Sequence, residues 1–238
     1  MTAQHNSAEI LKAILFDMDG VLINTIHSVR QLWSEVALEF GAKLAEADYK
    51  NHVYGCTASH TMDHLFPQLS IQDRQKILHK IEIYETNLTF TAADGALALL
   101  QQLKINGVPT ALVTSADPWK ANRVLHQLNA SHLFTTVITS DDIKKGKPDP
   151  ECYRKAAQKL CVPIQQCLVI EDSDSGLKAA IASGATTVAV QNDYQNLSNF
   201  RNNILAVITG LAECETIEEN NSLFLKIQNH YLNLQREK

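Results

Sequence analysis

Residues 13–22 read Ala13-Ile14-Leu15-Phe16-Asp17-Met18-Asp19-Gly20-Val21-Leu22. Four apolar residues run straight into an acid, one residue intervenes, and a second acid and a glycine follow. A short apolar run of this kind suits a strand buried on both faces of a parallel sheet. The strand has to stop where the charges start, so both carboxylates sit at its C-terminal mouth, the edge at which open α/β sheets bind ligands. Two acids so close are costly there unless a cation joins them. The stretch therefore predicts a nucleophile, a proton donor and part of a metal site; the rival reading is an Asx-rich strand-to-loop turn with Gly20 as its left-handed residue.

The chain that follows shows no convincing strand from about 26 to 90. Val29, Leu32, Trp33, Val36, Ala37 and Phe40 recur at three and four and predict a helix over 26–40, ended by Gly41. Further helices are expected over 45–53, 58–66 (closed by Pro67) and 71–87, the last capped by Ser70. From Asp94 the pattern alternates. Helices near 97–107, from Pro118, over 151–160 and over 175–183 separate strands over 108–113, 134–138, 166–170, 186–190 and 204–208. Leu223, Ile227, Tyr231 and Leu234 predict a last amphipathic helix. The fold class is thus α/β: a doubly wound, Rossmann-like parallel sheet, residues 1–23 and 92–238, with a helical subdomain inserted at 24–91.

The formal net charge of −5 and the absence of a basic stripe argue against nucleic-acid partners. No apolar run reaches membrane-spanning length. The polar stretch 1–9 lacks the order of a signal peptide. Five cysteines, with no Cys-x-x-Cys pair, fit reduced thiols in a cytoplasmic protein, and Cys152, Cys161 and Cys167 read as small core residues.

Polar residues collect at four strand ends or loops: Asp17 with Asp19, Thr114 with Ser115, Lys147 in Gly146-Lys147-Pro148-Asp149-Pro150, and Glu171 with Asp172. In a parallel sheet all strand C-termini share one edge, so the four can converge. Asp17-Met18-Asp19-Gly20-Val21-Leu22, Val113-Thr114-Ser115, the Lys147 loop, and Ile170-Glu171-Asp172-Ser173 with Gly176 resemble, in order, the four motifs of the haloacid dehalogenase superfamily of phosphohydrolases, over roughly residues 12–190. The helical insert resembles the α-helical cap of the subgroup that holds β-phosphoglucomutase and many small-molecule phosphatases.

Chemistry and resemblance together imply a Mg²⁺-dependent phosphatase that hydrolyses a small phosphomonoester, a sugar or polyol phosphate, through an aspartyl-phosphate. A carboxylate nucleophile splits hydrolysis into two easier displacements, and a hard divalent ion must lie between it and the phosphate dianion. Asp17 is the expected nucleophile and Asp19 the acid and base. Asp17, Asp172, the Asp19 backbone carbonyl and Glu171, directly or through water, are the expected metal ligands. Thr114, Ser115 and Lys147 are expected to bind the phosphate. Asp19 is expected to need a pKa raised by neighbouring charge and cap closure.

The cap is expected to choose the substrate. His52, Tyr54, Thr57, His60 and His64 are candidate contacts around the loop Tyr54-Gly55-Cys56-Thr57-Ala58-Ser59, and Trp33 reads as core. His60 and His64 are spaced to share a metal, but with no third ligand in view they read as a surface or inter-helix pair. Hinges are expected at 23–25 and 91–94. The mutase's cap histidine and arginine have Val29 and Ala58 in their places here, which favours net hydrolysis over a sugar-phosphate mutase. A dehalogenase would not need Asp19, Glu171 or Asp172. Phosphonate cleavage would need a cap lysine, for which only Lys43 and Lys50 offer themselves, and a non-catalytic phosphate-binding regulator is the remaining alternative. A monomer or weak homodimer is expected.

Overall fold

The computed structural model describes residues 10–191 and 197–236; the stretch 1–9, on which the signal-peptide reading rests, lies outside them. Six parallel strands form the main sheet, in the order β3-β2-β1-β4-β5-β6. They are β1 (Ala13–Phe16), β2 (Thr110–Val113), β3 (Thr136–Ile138), β4 (Cys167–Glu171), β5 (Thr186–Val190) and β6 (Ala206–Ile208). All four residues of β1 are buried because alternate side chains enter two different cores. Ile14 and Phe16 join the face covered by α5 (Ala96–Ile105) and α6 (Pro118–Gln127). Ala13 and Leu15 join the face covered by α7 (Glu151–Lys159) and α8 (Asp174–Ser183). Burying Leu15 or Phe16 in this way stabilises the fold by about 1.5–3 kcal/mol each. This double burial is why the sequence shows an unbroken apolar run and not an alternation.

Between β1 and β2 lie four helices: α1 (Ile26–Glu39), α2 (Glu46–His52), α3 (Ala58–Leu65) and α4 (Ile71–Thr86). They close around an apolar cluster of their own, centred on Leu32, Trp33, Val36, Tyr49, Met62, Phe66 and Ile77. Trp33 is buried there, its ring stacked 6.3 Å from Phe66. The Ser70 hydroxyl accepts from the Asp73 amide at the start of α4, the cap its sequence position predicts. The chain leaves the sheet after Ile23 and returns at Ala92, and these two residues bridge each other, so both crossings lie side by side.

The C-terminal expectation fails. Residues 214–234 form a three-stranded antiparallel sheet, β7 (Cys214–Glu219), β8 (Ser222–Ile227) and β9 (His230–Leu234), and not a helix. A spacing of four residues, as in Leu223, Ile227 and Tyr231, satisfies a period of two as well as one of 3.6. Leu225 decides between them: Leu223, Leu225 and Ile227 alternate inward and complete the main core. Asn220 and Asn221 both have positive φ, 51° and 62°, as the two-residue hairpin turn between β7 and β8 requires. Strand β9 then ties back to the entry of β1, with the Leu11 amide donating to the Asn233 carbonyl at 2.9 Å. All five cysteines are free; Cys152 and Cys167 are buried as expected, but Cys161 is exposed, in the turn after α7 with φ 56°. Among the described residues no helix is long and apolar enough to cross a membrane.

Candidate active site

The sheet order reverses at β1: the chain runs outward through β2 and β3, then returns to the other side of β1 as β4. A crevice opens at the strand C-termini where such a reversal occurs. Asp17 follows β1 and Asp172 follows β4, and the Asp17 amide donates to the Ile170 carbonyl at 3.1 Å. Thr114 follows β2 next door. Asp17, Asp19, Thr114, Ser115 and Asp172 all line one cavity of about 110 Å³ between the sheet and the helical insert. Gly20 has φ 90°, as its turn requires, and a Cβ there would overlap the Asp172 carboxylate.

Lys147 reaches this edge from the loop after β3 and is fully buried. Its Nζ donates to Asp17 Oδ1 at 2.5 Å and to Glu171 Oε1 at 2.6 Å. It lies behind Asp17 and is absent from the described cavity wall. Glu171 is fully engaged. Its Oε1 also accepts from the Tyr153 hydroxyl at 2.9 Å. Its Oε2 accepts from the Asp172 and Ser173 amides, at 2.8 and 2.9 Å, and from the Ser173 hydroxyl at 3.1 Å. Gly176 leaves the space for this carboxylate, since a Cβ there would overlap it. The expectation of Glu171 as a direct metal ligand therefore meets a physical objection: its oxygens already hold Lys147 and the β4–α8 turn in place.

Asp17, Glu171 and Asp172 each bring a carboxylate oxygen within 4.8 Å of the others, and all three are buried. Three carboxylates against the single ammonium of Lys147 leave excess negative charge in a low-dielectric site. Burial pushes the Asp17 pKa up to about 7, against the pull of Lys147 and with the help of Glu171. Burial likewise raises Asp172 well above its ordinary value, and Glu171 and Asp17 add to the effect. A divalent cation held by Asp17 and Asp172 offsets this charge, so the residues present fit a metal centre.

Asp19 has a partner that the sequence reading missed. Lys120, buried on α6, donates to both Asp19 oxygens at 3.1 and 3.2 Å, and the Thr25 hydroxyl donates to Oδ1 at 2.5 Å. Lys120 also pairs at 2.9 Å with Glu85, near the end of α4. Burial opposes the charge of Lys120, yet Asp19 and Glu85 together raise its pKa. The sequence predicts charge and the cap beside Asp19; the group bonded to both of its carboxylate oxygens is this cation. A signal was present in the sequence. Lys120 shares the apolar stripe of α6 with Ala121, Val124 and Leu125, and Glu85 continues the stripe of Ile77 and Ile81 on α4. A charge on a buried helix face needs a partner. Tyr153, beside Cys152 and Ala156 on the buried face of α7, carried the same signal.

The loop between α2 and α3 is sewn to the sheet mouth. The Ser115 hydroxyl donates to the Gly55 carbonyl at 2.7 Å, and the Ser175 hydroxyl donates to the Tyr54 carbonyl at 2.9 Å. Ser115 lines the cavity, but its hydroxyl proton is thus committed to the loop and not to a ligand oxygen. Thr114 Oγ1 accepts from the Ala116 amide at 3.1 Å. Tyr54 lines the cavity, together with Val29, Leu32, Trp33, Val53, Cys56, Ala58 and Ile81. His52, Thr57 and His60 are not brought to it. Thr57 caps α3, accepting from the His60 amide at 3.2 Å, and His52 and His60 stack with His64 behind the loop. The pair read as lacking a third ligand has His52 beside it.

The profile of the haloacid dehalogenase-like hydrolases matches residues 14–190, and the chain belongs to this family. It is 33% identical over 181 residues to hexitol phosphatase A of Escherichia coli, covering 75% of this chain and 82% of that protein. It is 28% identical over 237 residues to 2-deoxyglucose-6-phosphate phosphatase 1 of Saccharomyces cerevisiae, covering 90% of this chain and 94% of the other. Among solved structures, a putative β-phosphoglucomutase from Bacteroides vulgatus superposes with a TM-score of 0.74 at 26% identity, covering 86% of each chain.

Proposed function

We propose that this protein is a Mg²⁺-dependent phosphatase that hydrolyses the phosphomonoester of a small sugar or polyol. The observation that carries the reading is the set of Asp17, Asp19, Thr114 and Asp172 around one small cavity at the strand C-termini, with Lys147 bonded to Asp17 behind it. Relatives whose names specify hexitol and 2-deoxyglucose-6-phosphate phosphatases support the substrate class. The insert 24–91 acts as a cap over the core.

In this reading Asp17 and Asp172, with the Asp19 backbone carbonyl, would hold Mg²⁺, which would supply neutralisation of the charge on nucleophile and phosphate. Asp17 attacks phosphorus, and its own carboxylate becomes the acyl phosphate. Lys147 orients the Asp17 oxygen that does not attack and keeps Glu171 and the β4–α8 turn in register. Thr114 offers a hydroxyl to a phosphate oxygen, and backbone amides after it cradle the others. Asp19 protonates the leaving alkoxide, then takes the proton of the water that cleaves the acyl phosphate. Lys120 and Thr25 fix where its oxygens point. Val29 and Ala58, at the cavity wall, give a second phosphate nothing to pair with, which supports hydrolysis over mutase chemistry. Neither Lys43 nor Lys50 lines the described cavity, and the lysine that does, Lys120, belongs to the core and is paired with Asp19 and Glu85, which speaks against the cap lysine that phosphonate cleavage would need.

The test is phosphate release from a panel of sugar and polyol monophosphates, with Mg²⁺ and with EDTA. Release should need the metal, and Asp17→Asn should lower it by about ten-thousandfold or more. Isomer conversion without free phosphate would establish a mutase instead, and silence across the panel would end the proposal.

A further inference from the structure

The geometry points to a second metal site, chemically unlike the first: His52, His60 and His64 form a transition-metal site at the base of the cap loop. His52 ends α2, and His60 and His64 lie one turn apart on α3. One ring nitrogen from each lies within 4.8 Å of the others. His52 Nδ1 and His60 Nε2 are 3.3 Å apart. Two nitrogens bound tetrahedrally to Zn²⁺ at about 2.0–2.1 Å are separated by about 3.3 Å, so this pair already spans one edge of such a site.

The outer contacts agree. His64 Nδ1 donates to the His60 backbone carbonyl at 2.9 Å, which leaves Nε2 as the nitrogen with a lone pair. His60 is also hydrogen-bonded to the Asn51 backbone. A ring nitrogen anchored on backbone is the usual support of a metal-bound imidazole. The three rings stack with centroids 4.0 to 5.5 Å apart, and converging on one ion requires them to fan outward. His64 is exposed, so its ring can turn about the hydrogen bond to the His60 carbonyl, and the open side admits the ion and a water as fourth ligand. The charges of Lys178 and Asp48 act in opposite senses on His52, and that of Asp63 acts on His60, so the local field is mixed.

Three imidazoles select Zn²⁺, Cu²⁺ or Ni²⁺ and have little affinity for Mg²⁺, so the two sites do not compete for one ion. The location has a consequence. His52 precedes and His60 follows the loop whose Tyr54 and Gly55 carbonyls are latched by Ser175 and Ser115. An ion on these histidines clamps both ends of the loop and slows its release, which lowers turnover. That consequence, unlike the binding itself, rests on the phosphatase reading.

The experiment is calorimetric titration of the full chain, free of any polyhistidine tag, with Zn²⁺ alone while Mg²⁺ is in excess. Wild type, His60→Gln, His64→Gln and Asp172→Asn are compared. One Zn²⁺ should bind to wild type and to Asp172→Asn, and weaken at least about tenfold in each histidine variant. X-ray absorption of the wild-type complex should show three nitrogen ligands at about 2.0 Å. Equal binding by the histidine variants, loss in Asp172→Asn alone, or an oxygen-only shell would overturn the site. If phosphate release is observed, Zn²⁺ should slow wild type more than His64→Gln; equal slowing would remove the clamp. If no release is observed from any substrate, the titration and absorption still decide the site.

Discussion

At the sheet mouth, Asp17, Glu171 and Lys147 are buried, and Glu171 alone accepts from five donors on Lys147, Tyr153, Asp172 and Ser173. Across the cavity, the cap wall is Val29, Leu32, Trp33, Val53, Ala58 and Ile81, and two serine hydroxyls latch its loop to the core. The two sides do different work. In the proposed phosphatase, the groups that position the nucleophile are over-determined by hydrogen bonds, and the surface that would admit and release a leaving group is held by few directional contacts and by shape. Lys120 crosses between the two sides, joining Asp19 on the core to Glu85 on the cap.

The difference can be broken most severely at Lys147. Lys147→Met leaves Asp17 and Glu171 buried without their cation, which costs about 3–5 kcal/mol. Thermal unfolding in EDTA should fall by about 10 °C or more for a chain of this size, and activity should vanish. An unchanged melting temperature would show that the mouth is not held as described.

Lys120→Met comes next. It frees Asp19 to turn and leaves Glu85 unpaired at the cap boundary. The expected result is a kcat about 10²-fold lower with a smaller change in KM, and partial recovery in Lys120→Arg. A change confined to KM would place Lys120 in substrate binding instead.

The metal-free mouth should also show itself in pH dependence. The Asp17 pKa rises from about 3.9 in an unfolded chain to about 7 when folded. Stability from this group is therefore fully present below about pH 4 and is lost as pH rises through about 7. Melting curves in EDTA should fall over that window, and Mg²⁺ should flatten the fall. No difference between EDTA and Mg²⁺ would argue against a cation at Asp17.

The smallest effect belongs to the latch. Ser175→Ala removes one hydrogen bond to the Tyr54 carbonyl, worth about 0.5–1.5 kcal/mol. Amide exchange at residues 53–57 should quicken with little change in the melting temperature. Uniform acceleration across the sheet would mean that Ser175 supports the core and not the loop.

Much of this was legible before any coordinates. Asp17, Thr114 and Asp172 announced themselves because a buried strand has to end where charge begins, and parallel strands end on one edge. The helical insert was legible because Leu32, Trp33, Val36 and Ala37 repeat with the helix period. Where the period was ambiguous, the reading failed. Leu223, Ile227 and Tyr231 fit both a helix and a strand, and only pairing with β7 and β9 chooses. Cys161 sits among helical residues in the sequence, yet the helix ends at Lys159, two residues before it, and leaves it exposed.

By itself, then, the sequence determined the sheet mouth: which residues end the strands, that they are acids and a hydroxyl, and that a cation must join them. Only the tertiary structure decided how the partners were shared. Lys120 meets Asp19 across 101 positions. Glu171 gives its oxygens to Lys147 and the β4–α8 turn. His52 comes beside His60 and His64 because α2 and α3 fold back on each other. The reason is physical: burial and strand or helix period are local and leave a pattern in the chain, whereas a hydrogen-bond partner is settled only when two distant elements pack.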